Sequence, residues 1–424
     1  MEFVAQAVWF SDGSGFANRA LRRSVFEKVR LIARHFSMSK AHRVELSHCG
    51  PVLMISSMQS GDVTHQDASR HDLGRLTSVL TEQHRKVLLP LVAGLEKIDV
   101  FSDMRFSSPR RLSELGSVWL ARRLRAAPTP ASILPLGGTQ AALLLLVPHL
   151  VARGGKIAVE ALTHSVAHKL FAHLGLCNVA ISMDDCGLVP AALYKLCQGR
   201  RVDAIYINPS LHNPTTSTLS AQRLSAIAEI ATKFDVQVIE DDVMGALADA
   251  PPVTLRSMIP DRHWYISGLG KAVALGLRCS FLVAPDEGRL MRLLDGLEGV
   301  NFYSPTMFHG CVAERVLAGQ LADLLTRATR EELAIRHELA ADVLSGVRYR
   351  ADRLGPHLWL PASAEQEAQI LRRLDGAGVH VSGSASFALR DNADRPHGIR
   401  LSLTSTQDRE ALMRALLVFR SALE

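Results

Sequence analysis

Residues 203–242, DAIYINPSLHNPTTSTLSAQRLSAIAEIATKFDVQVIEDD, decide the fold class. DAIYIN is apolar and β-branched without polar–apolar alternation, as expected of a strand covered on both faces. SAQRLSAIAEIATKF has apolar residues at helical spacing, and VQVIE returns to a strand that runs into a cluster of carboxylates. The same alternation extends outward on both sides. KIAVEA is followed by SVAHKLFAHLGL, and NVAISM by LVPAALYKLC; HWYIS and CSFLVA come after. Strands and helices in this order predict an α/β fold with a mainly parallel central sheet flanked by helices.

The texture changes past residue 300. A long helical stretch beginning CVAERVLAGQLADLL precedes short strands around HLWLPA, GVHVSG and IRLSL, and QDREALMRALLVFRSALE closes the chain as a helix. We therefore expect three parts: an N-terminal basic helical arm at 1–49, a large domain at 50–300, and a smaller C-terminal α+β domain at 301–424. The arm holds RALRRSVFEKVRLIARHF, whose basic residues fall on several faces, the pattern of a solvated helix.

The 424 residues are 47% hydrophobic and 21% charged, the balance of a folded globular protein. A net charge of +6 spread over this length suits anionic small molecules, and no nucleic-acid partner is expected. The six cysteines make no CxxC pair and no metal-type spacing with histidine, so reduced thiols, a cytoplasmic location and no bound metal are expected. No basic segment leads into an apolar core at the N-terminus, so no signal peptide is expected. The longest apolar run, AALLLLVPHLVA, is too short to span a bilayer, so no membrane association is expected.

In an open α/β sheet, ligands bind beyond the carboxyl ends of the strands. Four polar clusters fall there. LGGTQAAL places Gly138, Thr139 and Gln140 at the start of a helix, where free N–H groups attract anions. NPSLHNPTT follows DAIYIN and carries Asn213. IEDDVMG carries Glu240, Asp241 and Asp242, three carboxylates that call for a cation. YISGLGKAVALGLR carries Lys271 after a strand and Arg278 before the next. A phosphate-binding P-loop is ruled out, because Tyr265 stands where its first glycine belongs and Ala272 where its Ser or Thr belongs. The four clusters together suit pyridoxal 5'-phosphate. That cofactor needs a lysine amine, a carboxylate for its ring nitrogen, a donor to its 3′-oxygen and an anion site.

These motifs, in this order from about residue 50 to the C-terminus, resemble those of fold-type I, class I/II aminotransferases. They are most similar to the aminotransferase-like domain of MocR-type proteins. The resemblance implies a fold-type I PLP-dependent transferase acting on an α-amino acid and a 2-oxo acid, most simply an aminotransferase, and a homodimer. By motif, it implies that Lys271 forms the internal aldimine and shuttles a proton. Asp241 would pair with the ring nitrogen and Asn213 with the 3′-oxygen. Gly138, Thr139, Gln140 and Arg278 would hold the phosphate. His164 would stack on the ring, and Arg400, in GIRLSLTS, would clamp the substrate carboxylate.

The match departs from the family's pattern at four positions. Gly270, Met244 and Phe106 stand where hydroxyl-bearing side chains are usual, and Thr216 replaces a glycine. Decarboxylation, elimination or racemisation on the same scaffold therefore stays open. So does a MocR-like PLP-sensing regulator, although residues 1–49 show no clear helix-turn-helix pattern, and so does a non-catalytic relic.

Overall fold

The computed structural model describes residues 71–97, 106, 108–199, 201–249, 251, 253–389 and 395–424. All belong to one compact unit, Gln66–Glu424. The expected arm at 1–49 lies outside the described residues.

The centre is a seven-stranded sheet built from β1 (Ile133–Leu136), β2 (Lys156–Glu160), β3 (Cys177–Ile181), β4 (Ala204–Ile207), β5 (Gln237–Asp241), β6 (His263–Gly268) and β7 (Ser280–Val283). Their order across the sheet is β1-β7-β6-β5-β4-β2-β3. Strand β7 is antiparallel to both its neighbours, and the other pairs are parallel. The mainly parallel sheet expected from the β-branched runs is the one observed. Strand β1 was not anticipated, because ILPL is short and contains proline; it lies at the sheet edge, where a missing N–H is tolerated.

Helices cover both faces. They include α1 (Glu82–Ala93), α2 (Pro109–Leu124), α3 (Thr139–Leu150), α4 (Ser165–His173), α5 (Pro190–Gly199) and α6 (Ala221–Lys233). Later in the chain come α7 (Glu287–Leu294), α8 (Met307–Ala318), α9 (Leu321–Val343), α10 (Ala364–Gly376) and α11 (Arg409–Leu423). Ile239, Ile266 and Leu282 pack with α3 and α4 on one face. Val238, Ile205 and Ile207 pack with α5 and α6 on the other, where Phe281 and Val283 meet α2 and α8. This two-face split follows the period of two along each strand. The helical stretch expected near 311–344 is two helices, because the chain breaks at Gly319 and Gln320 adopts a left-handed φ of 54°.

A second, antiparallel sheet contains β8 (Arg350–Ala351), β9 (His357–Pro361), β10 (Ser382–Gly383) and β11 (Gly398–Ser402), in the order β8-β9-β11-β10. Its core takes in residues of α10 and α11 together with Leu73. The short strand His71–Asp72 pairs parallel with Val379–His380. No described helix is long and apolar enough to cross a membrane.

Candidate active site

A cavity of about 660 Å³ opens beyond the carboxyl ends of the central strands, and its walls bring together all nine expected site residues. Gly138, Thr139, Gln140, His164, Asn213, Asp241, Lys271, Arg278 and Arg400 all line it. They come from segments as far apart as residues 138 and 400; the central sheet gathers eight of them, and Arg400 comes from β11 of the second sheet.

The three carboxylates at the end of β5, Glu240 and Asp241 within it and Asp242 just beyond, part company by alternation. Glu240 Oε2 faces His263 Nε2 at 2.8 Å and accepts the Leu255 amide at 3.0 Å. Asp242 Oδ2 pairs with Arg123 Nε at 2.6 Å and accepts the Tyr265 hydroxyl at 3.0 Å. Asp241 alone lines the cavity. Its Oδ2 accepts the Tyr206 hydroxyl at 2.6 Å, while its Oδ1 is buried with no hydrogen-bond partner among the described residues. Burial, with the Asp242 charge, pushes its carboxyl up to about 6, against the pull of hydrogen bonding from Tyr206, the Val243 amide and Asn208. Burial and the Asp241 charge raise the Tyr206 phenol well above its ordinary range, so it stays a donor. A buried carboxylate oxygen without a partner, on a residue that lines the cavity, is suited to a cationic N–H.

Lys271 lies in the single helical turn Leu269–Ala272 beyond β6. Its Nζ donates to Leu76 O at 2.8 Å. Burial, and secondarily the charge of Arg400, lower the amine to about 8. It is thus far closer to its neutral, nucleophilic form than a surface lysine.

Arg400 projects from β11, next to the cavity's second wall. One guanidinium nitrogen donates to Asn213 Oδ1 at 2.8 Å, another to Gly74 O, and the group lies 4.8 Å from the centre of the Phe387 ring. Its Nε has no partner among the described residues. Burial lowers it to about 10. Asn213 precedes a cis peptide bond to Pro214. His164 caps the start of α4, and burial lowers its imidazole to about 4, aided by the charges of Lys271 and Arg400. It is therefore a neutral ring at ordinary pH.

The anion end is built at α3. Gly138 precedes the helix with φ of 126°, a conformation in which a β-carbon is disfavoured, and no side chain caps the first turn. The first N–H groups are thus left facing outward. One guanidinium nitrogen of Arg278 reaches Gly137 O at 3.2 Å beside them. Lys271, Arg278 and Arg400 against the one carboxylate Asp241 give the cavity an excess of positive charge, which favours an anionic ligand.

Met244 and Gly270 also line the cavity, so both departures from the expected hydroxyls fall inside it. Phe106 does not line it. It is buried against Gly310, where a β-carbon would come within 2.2 Å of the phenyl ring. Thr216 sits at φ of 65°, a left-handed conformation that explains why glycine suits this position. Sequence reading overlooked Tyr206, Ser280 and the Leu76 carbonyl. Tyr206 had a usable signal, since a phenol inside a strand covered on both faces needs a polar partner. The Leu76 carbonyl had none, being backbone.

The profile of the family described as aminotransferase class I and II matches residues 114–416. The chain is 25% identical over 296 residues to the uncharacterized HTH-type transcriptional regulator YdeF of Bacillus subtilis, covering 69% of this chain and 63% of that one. It is 26% identical over 294 residues to the 2-aminoadipate transaminase of Thermus thermophilus, covering 67% and 73%. It is 28% identical over 305 residues to the vitamin B6 salvage pathway transcriptional repressor PtsJ of Salmonella typhimurium, covering 69% and 67%. Two further HTH-type regulators of Bacillus subtilis, YdfD and YisV, are matched over only 45% and 46% of their length. The chain thus spans less than two thirds of these three Bacillus regulators. Among solved structures, an archaeal alanine:glyoxylate aminotransferase superposes with a TM-score of 0.73 at 19% identity, covering 84% of this chain and 91% of that one. The alpha-aminoadipate aminotransferase of Thermus thermophilus superposes at 0.68 with 21% identity, covering 84% and 92%. These superpositions establish the fold as the expected fold-type I architecture. Because the family profile covers well over half of its length, this chain belongs to the aminotransferase class I and II family.

Proposed function

We propose that this chain is a pyridoxal 5'-phosphate-dependent aminotransferase that moves an amino group between an α-amino acid and a 2-oxo acid. The observation that carries the proposal is the presence, in one cavity, of a Lys271 amine lowered by burial to about 8 and an Asp241 oxygen that has no partner among the described residues. The donor set fits the cofactor at each end: Asp241 Oδ1 for the ring N–H, Asn213 for the 3′-oxygen, His164 for the ring face. The first turn of α3 with Arg278 fits the phosphate.

When bound, pyridoxal phosphate supplies the electron sink that stabilises charge at the substrate's α-carbon. The rest falls to the chain. Lys271 Nζ would attach the cofactor covalently and, once displaced, move the substrate's α-proton. Asp241, kept oriented by Tyr206, would hold the ring nitrogen protonated. Arg400, steadied by Phe387 and Gly74, would bind the substrate carboxylate with its planar fork. Met244, in the place where the resemblance puts a phenol, cannot hydrogen-bond the 3′-oxygen, which leaves decarboxylation, elimination or racemisation as variants on the same scaffold.

Incubating the loaded protein with single amino acids and a 2-oxo acid, and following both products by NMR, tests the reaction class. Amino-group transfer supports the proposal; release of carbon dioxide or ammonia, or loss of chirality alone, replaces it with the corresponding variant. The names of the regulator relatives favour a second reading, a cofactor-sensing regulator. A sequence-specific, salt-sensitive DNA shift would establish it.

Uptake of the cofactor by the cofactor-free protein needs the neutral Lys271 amine. Its rate should therefore rise with pH through a midpoint near 8. Arg400→Gln removes a like charge, favours the ammonium, and should move that midpoint upward. Stopped-flow absorbance across pH 6–10 reads both.

The same reading takes the chain as a large cofactor-binding domain at 50–300, a small domain at 301–424 and a basic arm at 1–49. Confinement of the seven-stranded sheet to 133–283 and of the four-stranded sheet to 350–402 supports the division. We further propose a cytoplasmic homodimer, which sedimentation equilibrium of the purified protein tests in its oligomeric part.

A further inference from the structure

One row of the central sheet meets the cavity with an unexplained hydroxyl. Leu136, Ser280 and Gly268 are register partners across β1, β7 and β6. Ser280 shares its face of β7 with Leu282, which packs with Leu134, Leu136 and Leu146 beneath α3, while Phe281 and Val283 pack on the opposite face. Ser280 is 1% exposed and lines the cavity, and its Oγ has no hydrogen-bond partner among the described residues. A β-carbon on Gly268 would come within 2.9 Å of Ser280 Cβ, so the glycine is what leaves room for the serine.

Both neighbours lead straight into the chemistry. From Leu136 the chain passes through Gly137 and Gly138 into the uncapped first turn of α3. From Gly268 it passes through Gly270 to Lys271. Arg278 lies two residues before Ser280 and donates a hydrogen bond to Gly137 O at 3.2 Å. The orphaned hydroxyl therefore sits where the anion cradle and the lysine turn converge. Gly270, where a hydroxyl is missing, opens onto the same cavity.

We infer that Ser280 Oγ is a phosphate ligand of the cofactor, donating the hydrogen bond that Gly270 cannot. The inference rests on the pyridoxal phosphate reading. A serine hydroxyl donating to a phosphate oxygen satisfies the buried donor and adds a charge-assisted bond to the groups of α3 and Arg278.

Equilibrium titrations of cofactor-free wild type, Ser280→Ala and Ser280→Ala/Gly270→Ser with pyridoxal phosphate, and separately with pyridoxal, test it by visible absorbance. Ser280→Ala should raise the Kd for pyridoxal phosphate about 10-fold or more, the usual weight of a hydrogen bond to a charged group. The Kd for pyridoxal, which lacks the phosphate, should stay unchanged. The double variant should recover most of the loss, because a β-carbon at Gly270 meets nothing closer than Leu275 Cδ1 at 3.7 Å. An unchanged Kd in Ser280→Ala, or equal weakening toward both compounds, overturns the assignment. Wild-type protein that binds neither compound overturns the cofactor reading along with it.

Discussion

Lys271→Ala should abolish turnover, by about 10⁴-fold or more, since it removes both the covalent attachment and the proton carrier at one stroke. The fold should survive. Among the described residues the Lys271 amine makes one hydrogen bond, to Leu76 O, and it is already disfavoured as a cation by burial. The variant should therefore keep its circular-dichroism spectrum and unfold at the wild-type temperature or slightly above. It should still bind pyridoxal phosphate reversibly through the α3 turn, Arg278 and Asp241, and release it on dialysis where wild type does not. Loss of secondary structure in the variant would mean that Lys271 holds the fold together, which its surroundings do not predict.

Asp241→Asn should lower kcat by about 10²–10³-fold, the usual weight of one preorganised electrostatic contact in a buried site. The amide keeps the shape and can still accept from Tyr206, so the effect isolates the charge. Stability should move the other way. The folded-state pKa of Asp241, about 6, lies above its ordinary 3.8, so ionisation opposes folding. The stability associated with the neutral form is present below about 4 and is lost as pH rises through about 6. Cofactor-free Asp241→Asn should thus melt above wild type at pH 8, with the gap closing toward pH 4. Scanning calorimetry at the two pH values reads the difference; a variant that melts below wild type at pH 8 contradicts a partnerless Oδ1.

Much of this site was legible in the linear chain because its residues lie at the ends of β-branched strands. A parallel sheet delivers such ends to one edge, so Asp241 and Lys271 could be read as neighbours before their distances were known; the α3 turn was marked by its glycines alone, since the strand before it was not anticipated. Periodicity alone did not say which of Glu240, Asp241 and Asp242 would face the ligand. That depends on which strand face carries α3, and on whether His263, Tyr265 and Arg123 are in place to take the other two. Ser280 was illegible for a related reason. Its significance lies in Gly268 opposite and in the absence of a partner for its Oγ, both matters of register. The wall supplied by residues 74–76 was hidden more deeply, because it acts through backbone carbonyls held by the pairing of His71–Asp72 with Val379–His380.

Borohydride reduction of the pyridoxal phosphate-loaded protein, followed by proteolysis and mass spectrometry of every lysine-containing peptide, tests the central claim most directly. A phosphopyridoxyl group on the peptide bearing Lys271, and on no other at stoichiometric yield, is the predicted result. Recovery of an unmodified Lys271 peptide, or stoichiometric labelling of a different lysine, would contradict it.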